Sequence, residues 1–122
     1  MLKILREQLL QLHKALLDHQ KVGYEAKHGL ISNPNLYYQL VISHESFAWL
    51  KTLSALIVSI DELLESKDGV PEEKAKQIIT YTQKLLTEQS GTSVFSTNYQ
   101  TAVQNNPEVS TLHVQALSTL NS

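Results

Sequence analysis

The chain has 122 residues, of which 42 % are apolar and 18 % charged, with a net charge of −2 and no cysteine. That length fits one domain with a core of its own, needing neither disulfide nor metal as a staple. The lack of thiols excludes disulfides, thiolate zinc sites, iron–sulfur clusters and cysteine nucleophiles, and a single arginine with no basic cluster argues against a nucleic-acid partner.

Residues 2 to 28 read as one long helix. Leu2, Leu5, Leu9, Leu12 and Leu16 step by three and four, and Leu10 and Leu17 widen the stripe. Charged residues interrupt the leucines, so no signal-peptide stretch is visible and no run approaches the length of a membrane span. A cytoplasmic location without a membrane partner is the expectation. Gly23 lies inside this helix, where it costs up to about 1 kcal/mol against alanine unless another helix approaches it closely. Gly29 is placed to stop the helix.

Asn33-Pro34 reads as an N-cap followed by a first-turn proline, starting a short helix over 34–43. SHES (43–46) holds weak helix formers, with Ser43 as the expected cap, and predicts a break. Residues 46 to 65 form the most apolar helix, with Trp49, Leu53, Leu56, Ile60 and Leu63 on one face. KDGVP is a turn, and Pro71 opens a helix with Glu72 and Glu73 in its first turn, favoured by the helix dipole. After the EQSGT turn, 93–105 is a helix with Phe95, Tyr99, Ala102 and Val103 on one side. Asn106-Pro107 repeats the cap-and-proline signature and starts a last helix, lined by Val109, Leu112, Ala116, Leu117 and Leu120. No period-two strand pattern persists. Six helical pieces group into four rods, the second and fourth each broken in two. The fold class is therefore all-α, and short connections favour an up-down four-helix bundle over 1–122.

Four phrases, LHKALLD (12–18), YEAKHG (24–29), QLVISHESFAWLKTLSALIVSIDE (39–62) and NNPEV followed by His113, resemble a family of small bacterial all-helical proteins. The resemblance covers most of the chain, and its sharpest part is the FAWL–LS–LI–IDE block. The family's pattern has Asp-Pro just before that block; this chain has His44-Glu45. The resemblance implies a helical, bacterial, cytoplasmic protein. It implies no activity, cofactor or catalytic residue.

Glu25-x-x-His28 has the spacing with which di-iron bundles hold metal, but such bundles take two copies and two further carboxylates. This chain has one copy. At about 100° per residue, Glu25 falls roughly 160° from the leucine stripe, on the water face. His28 lies in the last turn, where a cation is favoured. His44-Glu45 resembles the opening of HExxH, but Ala48 stands where the second histidine belongs.

His13 and His113 are the better ligand candidates. His13 sits roughly 50° from the centre of its stripe, and His113 lies within the apolar face of the last helix. With Asp61 flanking the buried helix, they would suit a small ligand or a divalent metal. Tyr24 and Tyr99 are candidate pocket-lining aromatics. No metal ligand set, cofactor or catalytic residue is assigned. Residues 89 to 122 carry one charge, Glu108, a composition suited to a homodimer or partner interface. The reading favours a non-enzymatic interaction or scaffolding protein; the alternative is a ligand- or metal-binding bundle using the inward histidines.

Overall fold

A computed structural model describes residues 1–122. Seven helices follow one another: α1 (Leu2–His28), α2 (Pro34–Ser43), α3 (Glu45–Ala48), α4 (Lys51–Leu64), α5 (Glu72–Thr87), α6 (Val94–Asn105) and α7 (Pro107–Leu120). The class is all-α. The helix expected over 46–65 is divided: the chain turns at Trp49 and Leu50, and both side chains are buried. Both residues keep right-handed helical backbone angles, and the interruption is a local tightening in which Leu50 N–H bonds to Phe47 O three residues back.

Local chemistry sets the ends. Asn33 Oδ1 accepts from Leu36 N–H at 2.8 Å to cap α2. Ser93 and Ser96 form a reciprocal capping box at the start of α6. Asn106 Oδ1 accepts from both Glu108 N–H and Val109 N–H to start α7. Gly29 ends α1 with φ of 87°, a left-handed value that glycine adopts without strain. The 43–46 break is present, but Ser43 does not cap it. Ser43 Oγ bonds back to Gln39 O, and the cap is the His44 ring. Gly23 is not a packing device: a Cβ there would meet nothing within 4 Å.

The core is one cluster. Leu5, Leu9, Leu12 and Leu16 of α1 are fully buried, together with Leu53, Ile60, Leu86, Tyr99, Ala102, Val109 and Ala116. Each such aliphatic side chain contributes roughly 1.5–3 kcal/mol before entropy offsets most of it. Helix α1 packs on α4 along one side and on α7 along the other, and α7 packs on α5 and α6. Around the core the longer helices therefore run α4, α1, α7, α5. The remaining edge, α4 against α5, lacks comparable backbone approach. The buried part of α1 ends at Leu16. Beyond it, α1 runs on to carry α2, which has no buried residue and packs substantially against α3 alone.

Candidate functional site

Three of the polar pairs that join the helices involve His13, Asp61, Tyr99 or His113. On α1, His13 Nε2 lies 2.8 Å from Ser54 Oγ of α4. The same hydroxyl lies 3.2 Å from Leu50 O. This is the front half of a nucleophile–base arrangement in distance, yet neither residue lines any of the five main clefts. Burial pushes the His13 imidazole below its ordinary value. Asp61 accepts from Arg6 Nη1 at 3.1 Å instead of meeting a histidine.

The third pair is Tyr99 and His113. Tyr99 is fully buried, and its hydroxyl lies 2.6 Å from His113 Nδ1. Burial pushes the phenol well above and the imidazole below their ordinary values. A protonated phenol facing a neutral imidazole needs an acceptor for its only proton, and Nδ1 is that acceptor. His113 therefore carries its proton on Nε2. Phe95 stacks on the Tyr99 ring at 5.3 Å and 13°. His113 also borders a cleft of about 420 Å³ with Gln100, Gln104 and the stretch from Leu86 to Ser90, where α5 ends and the next loop begins. The amide of Gln100 donates to Leu86 O and Glu88 O, satisfying carbonyls that the helix end leaves free.

So the structure brings Tyr99 and His113 together, while His13 and Asp61 take separate partners. No group of three or more histidine or carboxylate side chains is arranged to hold a metal ion. The partners Ser54 and Arg6 carry no sequence signal; both lie dozens of positions away from the residues they meet.

Tyr24 belongs to a different cluster, at the junction of α1 with α3. Its ring lies 4.6 Å from His28, 5.2 Å from His44 and 6.0 Å from Phe47. The His28 and His44 rings are 5.9 Å apart. Glu25 does not reach into this cluster: its Oε2 accepts from Ile31 N–H at 2.8 Å and so shapes the loop after α1. His44 Nδ1 accepts from Ser46 N–H at 3.0 Å. Its neutral proton then sits on Nε2, which makes that nitrogen a donor rather than a ligand.

The open edge between α4 and α5 forms a continuous groove. A cleft of about 460 Å³ holds Ser59, Glu62, Leu63 and Ser66 opposite Pro71, Lys74, Gln77 and Ile78. A second, of about 270 Å³, shares Ser59, Gln77 and Ile78 and adds Thr52, Ala55, Leu56 and Tyr81. A third, of about 400 Å³, shares Thr52 and Tyr81 and extends to Lys84, Glu88, Val94 and Phe95. From Lys74 to Glu88 the groove follows about 20 Å of helix. Glu62 and Lys74 stand at one end, Lys84 and Glu88 at the other, and none of the four is ion-paired.

No helix is long and apolar enough to cross a membrane. No protein-family model, curated protein or solved structure matches the chain.

Proposed function

We propose that this is a non-enzymatic helical interaction protein whose α4–α5 groove receives an amphipathic helix from a partner protein. The observation that carries the reading is the unclosed edge itself. In this arrangement α1, α4, α5 and α7 act as the four rods of a bundle, and three of the four edges are packed. The fourth is a trough about four turns long, apolar at its centre (Ala55, Leu56, Ile78, Tyr81) and charged at both ends. A helix with apolar residues at i, i+3, i+4 and i+7 fills such a trough. Opposite charges on its two end turns complete the unpaired Glu62, Lys74, Lys84 and Glu88.

The test is selection of helical peptides from a displayed library against the whole protein. The expected ligands carry that apolar spacing and bind with micromolar or better affinity. Ser59→Lys and Ala55→Lys, both at exposed positions, should weaken binding at least tenfold while leaving the melting temperature within 2 °C or so of wild type. Ligands that ignore both substitutions overturn the reading. So does concentration-dependent dimerisation abolished by Ser59→Lys, which would put a second copy in the trough.

A second reading rests on the cleft beside His113. Its amide, hydroxyl and imidazole lining suits a small polar ligand, and thermal stabilisation lost in His113→Leu would favour it.

A further inference from the structure

His44 holds the joint between α2 and α3. Its backbone is extended, with φ −84° and ψ 139°, so it ends one helix and starts the next. Its ring closes the start of α3 by accepting the Ser46 N–H. Histidine is a rare cap because its acceptor is conditional: a protonated ring has two donors and no acceptor. Imidazoles as a class change charge between about pH 5 and 8.

The surroundings sharpen that condition. On the α1 side stand Tyr24 and His28, with His28 5.9 Å from His44 between ring centres. Lys27 flanks His28 in the last turn of α1. Glu25 is occupied by Ile31 N–H, and Lys21 lies over the Tyr37 ring at 5.2 Å. Asp18 is further back, near Tyr37. On α3, Glu45 follows His44 in the first turn. Helix α2 has no charged side chain at all. No salt bridge ties either histidine to a carboxylate. A protonated His28 alone is tolerated, because the Tyr24 ring at 4.6 Å accepts a cation on its face. A protonated His44 ring has no acceptor to offer the Ser46 N–H. It points a donor at the Ser46 N–H and sets a second positive charge beside the first.

We propose that His44, backed by His28 and Tyr24, is an acid-released latch that holds α2 against α3 at neutral pH and frees it below. Little else holds α2. It buries no residue, and its inward contacts are Tyr37, set against Phe47 at 6.1 Å and beneath Lys21 at 5.2 Å, and the half-buried Leu40 and Val41. Release would expose more of the side that carries these residues and add to the exposed Leu36, Tyr38 and Ile42.

Hydrogen exchange resolved by residue tests this in the intact chain. Between pH 7.5 and 5, after correction for intrinsic exchange, amide protection over 36–48 should fall at least tenfold, while protection of α7 falls much less. His44→Asn keeps a cap acceptor that does not titrate and should hold protection constant across that range. His28→Gln should shrink the wild-type effect without removing it. Unchanged wild-type protection over 36–48 overturns the latch. So does a His44→Asn protein that responds to acid as wild type does.

Discussion

Replacing Tyr99 by Phe removes one oxygen from a pair whose phenol is fully buried. The ring stays, and with it the stacking on Phe95, so the cost isolates the bond to His113 Nδ1 at 2.6 Å. Its loss leaves His113 Nδ1 an acceptor without a donor. A buried orphan of this kind costs about 1–3 kcal/mol. His113 is only half-buried, so water reaches the vacated position and the lower part of that range applies, about 1–2 kcal/mol. For a domain of this size that lowers the melting temperature by about 4–8 °C. Calorimetry or denaturant unfolding measures it, and a double-mutant cycle with His113→Leu should return a coupling of about 1 kcal/mol. A loss below about 0.5 kcal/mol, or strictly additive single effects, would refute the assignment of the phenol as donor and Nδ1 as acceptor. Nitrogen chemical shifts of His113 give a second check, since the neutral ring should carry its proton on Nε2.

Gly23→Ala should stabilise the protein by up to about 1 kcal/mol, because the position is helical and a Cβ there meets nothing; a destabilised variant in thermal melts would mean that another surface covers this turn of α1. Stability should also depend on pH through His13 and His113. Burial lowers both imidazoles from 6.5, so the unfolded chain binds protons more readily than the folded one. The contribution is complete above pH 6.5 and is lost as pH falls through the lowered folded values. Melting temperatures measured from pH 7.5 to 5 should decline, and the decline should flatten in a His13→Gln/His113→Gln double variant. A melting temperature that rises on acidification contradicts the burial of these rings.

Much of the helical layout was legible because helix ends are written locally. Asn33-Pro34, Asn106-Pro107 and Gly29 each mark a boundary through the chemistry of one or two residues. The leucine spacing of α1 identified its buried face, and Leu5, Leu9, Leu12 and Leu16 are at the centre of the core. The turn at Trp49–Leu50 was not legible, because both residues keep helical backbone angles and no proline or glycine marks the place. Ser43 was the expected cap by residue type; the backbone bond to Gln39 O claimed its hydroxyl, and a histidine took the role. Site partners were the least legible part. His13 meets Ser54, and Asp61 meets Arg6, through packing between helices that no spacing within one helix encodes. Tyr99 and His113 were each singled out separately, but their bond depends on how α6 turns into α7 at Asn106.

The close packing of α1 against α7 has a consequence for synthesis. Helix α1 leaves the ribosome well before α7, the helix that covers one side of its leucine stripe. At about 5–20 residues per second, Leu5, Leu9 and Leu12 wait several seconds or longer before Val109, Ala116 and Leu120 can cover them. During that interval the α7 side of the leucine stripe lacks its native cover, the kind of surface that chaperones bind. A stalled or truncated chain ending near Asn105 should therefore be a chaperone client rather than a partly folded domain.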